Sequence, residues 1–168
     1  MRLTTMDAKD AIKYTFHMSR TVVKSYIADL EDTALMCRPH PGCNHIAWQL
    51  GHIIASEVQL LESVSPGSGI ELPEGFVEHH AKENTGSDDR GHFLNKEQYL
   101  ALLEKLQVAV YETLEATDES EMDKPGPEFL KGFADTVGEV FVLIANHPMM
   151  HAGQWVPIRR QFDQPIVI

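Results

Sequence analysis

Apolar residues return every three or four positions in four separate stretches of the chain, and no stretch of any length alternates apolar with polar. That period places one apolar stripe on each of four helices and predicts no strands. The first helix is expected from an Asp7 cap to about Leu30, with Ile12, Phe16, Val23, Ile27 and Leu30 facing inward. Pro39, Pro41 and Gly42 then break the pattern, and Asn44 offers a cap for a second helix, about His45 to Val64, whose stripe is Ile46, Leu50, Ile53, Leu60 and Val64. Asn95 and Gln98 form a capping box ahead of Tyr99, Leu102, Leu103, Leu106, Val110 and Leu114, so a third helix runs to near Thr117. After a polar connection with a short helical turn at Phe129 and Leu130, Thr136 and Glu139 set up another capping box. The fourth helix runs from there to about Phe162, with Pro148 and Pro157 as expected kinks. These elements predict an all-α fold, a four-helix bundle formed by residues 1–168 as a single domain.

The fourth stripe carries the chemistry. Val137, Val140, Phe141 and Ile144 lead into His147 and His151, one turn apart on the same face, with Gln154 below His147. Two imidazoles where a core belongs leave costly unpaired nitrogens unless something satisfies them, and one divalent cation shared by both would do so. The second helix supplies a third donor. His45 and His52 nearly eclipse each other but stand about 10 Å apart along the axis, so one ion would not take both. His52, at mid-helix, is the expected ligand, whereas His45 covers the helix end. His52, His147 and His151 together offer three neutral nitrogens and leave one coordination position for water or substrate. Glu57 intrudes on the second stripe, either as a carboxylate supporting the site or as a side chain that snorkels outward. The competing reading, in which the histidines only fill a polar layer, leaves their hydrogen-bonding demand unmet.

The segment from Ser65 to Asn95 is rich in Gly and Pro and has no period, so it is expected to be a flap over the site, with His79, His80 and His92 as solvated loop residues. His17 and His40 read as ordinary surface or loop histidines. A composition of 43% hydrophobic and 23% charged residues is that of a soluble globular chain, and no apolar run reaches a membrane span. Met1–Asp7 has no apolar signal core, so a cytoplasmic location is expected. With 14 Lys and Arg against 25 Asp and Glu, the net charge of -11 argues against nucleic acid. Cys37 and Cys43, the only cysteines, are expected to be reduced.

Three features carry a resemblance to the DinB/YfiT-like family of metalloenzymes. They are Trp48-Gln49-Leu50-Gly51-His52, the Gly-rich stretch into Ser87-Asp88-Asp89, and His147-x-x-x-His151-x-Gly153-Gln154 followed by Arg159-Arg160. The family's three metal-binding histidines correspond to His52, His147 and His151. The resemblance implies an up-down-down-up four-helix bundle, a homodimer, and zinc or else nickel or a similar ion as cofactor. It also implies a low-molecular-weight thiol co-substrate, since relatives include mycothiol-dependent maleylpyruvate isomerase and bacillithiol transferases. The expected function is a thiol S-transferase-like, metal-dependent enzyme acting on a small molecule. The alternatives are a metal-dependent hydrolase and a non-catalytic metal or small-ligand binding module. Gln154 is expected to hydrogen-bond at the site, Trp48 to wall the substrate pocket, and Arg159 or Arg160 either to anchor an anionic substrate or to remain solvated at the surface.

Overall fold

Side-chain caps start all four long helices. In the computed structural model, which describes residues 5–166, these are α1 (Ala8–Ala28), α2 (Ile46–Val64), α3 (Lys96–Ala116) and α4 (Val137–Gln154). The first four residues of the stretch read for a secretion signal lie outside the described residues. Asp7, Asn95 and Thr136 each accept the N3 amide while the N3 side chain returns to the cap amide, which satisfies two orphan donors per helix. The cap of α2 is not the expected Asn44. It is His45, whose Nδ1 accepts the Trp48 amide at 2.9 Å while its Nε2 donates to the Ser87 carbonyl at 3.0 Å. A ring that meets both an orphan amide and a neighbouring carbonyl can be buried, and His45 has no exposed surface.

The chain is all-helical, and no strand occurs among the described residues. The four long helices pack around one apolar core through the pairs α1–α4, α2–α4, α2–α3 and α1–α3. Lys9 bonds the Glu115 carbonyl at one end of α1 and α3, and Lys96 bonds the Leu30 carbonyl at the other, so these two run in opposite directions. Gln49 meets Trp155 while Leu60 meets Leu143 across a shared cavity, so α2 and α4 are opposed as well. The fourth helix does not continue to Phe162. It ends at Gln154, and a short α5 (Val156–Gln161) restarts beyond Trp155 with Pro157 in its first turn. Pro157 lacks the amide that would bond the Gly153 carbonyl and disfavours helical backbone at the residue before it. Pro148 is absorbed inside α4 without ending it.

One ion pair lies in the core between α1 and α2. Arg20 of α1 and Glu57 of α2 form an ion pair with almost no exposed surface, and the Arg20 guanidinium lies over the Phe16 ring at 4.6 Å. Glu57 therefore neither supports the histidines nor snorkels outward. Burial pushes its carboxyl up to about 7, against the pull of the Arg20 charge.

The connection from 65 to 95 is packed onto the helices rather than standing free as a flap. It holds the single helical turn Phe76–His79 and the 3-10 turns Lys82–Asn84 and Arg90–His92, and Phe76 is buried. Among its histidines, His79 and His92 stack on each other at 4.2 Å near the surface, whereas His80, expected to be solvated, is 2% exposed. His80 donates from Nδ1 to the Phe76 carbonyl at 2.7 Å, so its Nε2 accepts the Tyr99 hydroxyl at 2.9 Å. Its ring occupies the space beside Gly51, where an added Cβ would fall 2.0 Å from His80 Cδ2. That close approach explains a glycine inside α2, where it otherwise costs about 1 kcal/mol relative to alanine.

Candidate metal site

α2 and α4 bring His52, His147 and His151 together. One ring nitrogen from each lies within 4.8 Å of the others, making a group that could hold a metal ion. The i, i+4 spacing stacks His147 and His151 on the inner face of α4, and their Nε2 atoms are 3.0 Å apart. Three nitrogens on one tetrahedral ion at about 2.05 Å would stand roughly 3.3 Å apart, so the pair on α4 needs little adjustment. His52 meets both rings edge-on, at centroid distances of 5.4 and 5.2 Å.

The surroundings orient these rings. Gln49 Oε1 accepts the Trp155 indole N–H at 3.1 Å, and Gln49 Nε2 donates to the Asn44 carbonyl at 3.0 Å. An indole nitrogen can only donate and a carbonyl can only accept, so the Gln49 amide has one allowed orientation. His151 Nδ1, 3.0 Å from that Oε1, must then carry the proton, which leaves the Nε2 lone pair facing His147. A single proton shared between His147 and His151 would leave the converging third ring without a role. A cation accounts for all three, with a donor set of neutral imidazoles that suits zinc, nickel or copper better than magnesium or calcium. His147 Nδ1, on the side of the ring away from that convergence, is buried and has no hydrogen-bond partner among the described residues.

Electrostatics keep the nitrogens available. Burial, then the neighbouring His147 and His52, take His151 down to about 3; burial, then His52, takes His147 to about 4. His52 is lowered by burial and by the Lys82 ammonium, with the His80 backbone opposing. All three rings are neutral at pH 7, as ligation requires.

The expected supporting residues are rearranged. Trp48 is buried: its indole stacks on His52 at 4.8 Å with an interplanar angle of 8°, and its N–H reaches the Ala81 carbonyl at 3.3 Å. It holds the His52 ring. Gln154 is exposed and lines a separate cavity with Cys43, Gln49 and Pro157, and the side-chain hydrogen bond to His151 is made by Gln49. Arg159 is neither a free anchor nor a surface residue. It is fully buried, and every guanidinium N–H is taken by Asp29, the Tyr26 carbonyl or the Pro165 carbonyl. Arg160 is exposed. Gln49 stands three residues before His52 in the same segment, but nothing in the sequence ties it to His151. Only the register of α2 against α4 reveals its partner.

Two adjoining cavities of about 370 and 400 Å³ open from the histidines and share His52, Ser56, Gln59 and Lys82. A helical protein with three converging neutral histidines beside an open cleft belongs among candidate metal-binding helical proteins. The sequence profile of the DinB superfamily matches residues 15–155, and the chain belongs to that superfamily. No curated protein gives a significant match to it.

Proposed function

We propose that this protein is a metal-dependent enzyme acting on a small molecule, with His52, His147 and His151 holding a divalent ion and a low-molecular-weight thiol as co-substrate. One observation carries the reading. Gln49 forces the His151 Nε2 lone pair to point at His147 Nε2, 3.0 Å away, while His52 closes on the same point. Zinc is the first candidate, with nickel or a similar ion next. When bound, such an ion supplies Lewis acidity that favours the deprotonated form of a thiol or water in the cleft. The chain's own residues do the positioning. Trp48 holds the His52 plane, Gln49 holds the His151 tautomer, and His80 keeps Ala81 and Lys82 at the rim of the cleft. The helix pairings also support reading the four long helices as an up-down-down-up bundle, the order the family resemblance implies.

Metal analysis after reconstitution tests the ligands; well under one divalent ion per chain would sink the site. Thiol titration of the cobalt-loaded protein tests the co-substrate. A change in the visible spectrum with bacillithiol, mycothiol, glutathione or a simple thiol supports transfer chemistry. A flat response to all of them turns the reading to metal-assisted hydrolysis or plain binding.

A further inference from the structure

The cleft beside the histidines has a distribution of polarity that narrows what can enter it. Along α2, His52, Ser56 and Gln59 fall at i, i+4 and i+7 on one face, so a polar strip about 10 Å long leads away from the histidine cluster. Neither Ser56 nor Gln59 uses its side chain in a hydrogen bond among the described residues, although both line the cavities. Apolar side chains flank the strip: Leu130, Phe133 and Met150 on one side, Leu72 and Val77 on the other. Phe133 is 73% exposed, Val77 59% and Met150 58%, so large apolar groups stand in water at the mouth.

Charge completes the pattern. In a chain with 25 Asp and Glu, no carboxylate lines either cavity, and Lys82 is the one formally charged side chain in both. Lys82 has no ion-pair partner among the described residues, while Lys13, Lys24, Lys124 and Lys131 each face a glutamate. The 3-10 turn Lys82–Asn84 carries it, and that turn follows directly on the anchored His80. The cleft thus offers one cation, two free hydrogen-bonding side chains and apolar flanks.

We infer that the molecule accepted here is an organic carboxylate on a largely apolar skeleton, with its acid group paired to Lys82 and its body against Phe133 and Met150 or against Leu72 and Val77. A single ammonium supported by a hydroxyl and an amide matches one negative charge. A phosphate ester would call for a forked guanidinium, and no arginine lines the cleft. The inference rests on reading the three-histidine cleft as a substrate site, and it names the class of substrate that reading leaves open.

The test uses the full-length, zinc-loaded protein and an isosteric set, 4-phenylbutyrate, 4-phenylbutanol and 4-phenylbutylamine, titrated by calorimetry. The acid should bind about fivefold or more tightly than the alcohol, as expected for one partly solvated charge pair, and the amine most weakly. Lys82→Gln should abolish the acid's advantage and leave the alcohol unchanged, while Lys82→Arg should retain it. Phenyl phosphate should gain nothing over the acid. Equal binding of acid and alcohol, no binding of any of the set, or an advantage that survives Lys82→Gln because the acid sits on the metal would overturn the inference. Metal content measured on the same samples separates the two readings. Stoichiometric zinc without a Lys82-dependent preference removes only this inference; a Lys82-dependent preference in protein that cannot retain metal removes only the metal-dependent one.

Discussion

His80 and His151 are both largely withdrawn from water, and burial opposes protonation of both, to about 4 and about 3. Their nitrogens fare differently. His80 spends Nδ1 on the Phe76 carbonyl and Nε2 on the Tyr99 hydroxyl, and His45 likewise meets the Trp48 amide and the Ser87 carbonyl. His151 has one nitrogen fixed by Gln49 and the other aimed at His147 Nε2, and among the described residues His147 Nδ1 has no partner. A buried histidine is therefore no sign of a ligand by itself. What separates a structural imidazole from a ligating one is whether the protein supplies partners for both nitrogens.

The contrast breaks most sharply on metal content. His147→Ala or His151→Ala should lose stoichiometric zinc while circular dichroism stays helical, because the apolar core of the four long helices is untouched. His80→Ala should keep its zinc. Elemental analysis of the three variants checks this, and a His80 variant as metal-poor as the other two would erase the distinction.

Stability should reverse the ranking. Removing the His80 ring leaves the Tyr99 hydroxyl and the Phe76 carbonyl without partners and opens a cavity beside Gly51, at a cost of about 2–3 kcal/mol in urea unfolding of the metal-free protein. Gly51→Ala should cost about 1–3 kcal/mol by forcing a Cβ into the same ring. In the double variant the added methyl has room, so its loss should be smaller than the sum of the two single losses. Additive losses would show that the ring and the glycine do not share that space.

What could be read from the sequence follows how local each feature is. Capping boxes at Asn95 and Thr136 and the three- to four-residue period place three of the long helices to within a few residues, because both signals act inside one element. His147 and His151 were legible for the same reason, and His52 by its mid-helix position. Gln49 was not, since its bond to His151 spans 102 residues and depends on how α2 slides against α4. Arg159 is opaque to the sequence because an arginine in a terminal turn usually meets water, and only the fold brings Asp29 and two carbonyls around it. Arg20 does leave a trace in the sequence. It continues the α1 stripe of Phe16, Val23 and Ile27 as Glu57 intrudes on that of α2, and opposite charges on two core stripes suggest a buried pair. His80 had no period to betray it.

Gln49 offers a subtler test, because it acts on a presumed ligand through a single hydrogen bond. Gln49→Ala removes the acceptor that holds the proton on His151 Nδ1 and leaves the Trp155 indole unpaired. Zinc affinity should fall about 10- to 100-fold by competition with a chromophoric chelator, which is about 1.4–2.7 kcal/mol. Gln49→Glu, which keeps an acceptor facing both donors, should recover most of it. If alanine and glutamate were equally weak, Gln49 would matter for packing and not for the tautomer.

The smallest effect concerns protons. A histidine whose folded-state value lies below its unfolded value of about 6.5 costs nothing at pH well above 6.5, where both states are neutral. As pH falls through 6.5 the unfolded chain takes up a proton that the folded chain refuses. Stability then drops until the folded value is reached, near 4 for His80. Between pH 7 and 6 each such histidine should remove about 0.7 kcal/mol. In metal-free protein the two groups should look alike, so His80→Asn and His147→Asn should each make unfolding less sensitive to pH over that interval by about that amount, measured by urea midpoints. With zinc present they should part. The metal's stabilising contribution should survive in His80→Asn and vanish in His147→Asn, because only the second variant removes a nitrogen that the protein leaves for the ion. An equal response of both variants to zinc would mean that the satisfied and unsatisfied histidines differ on paper alone.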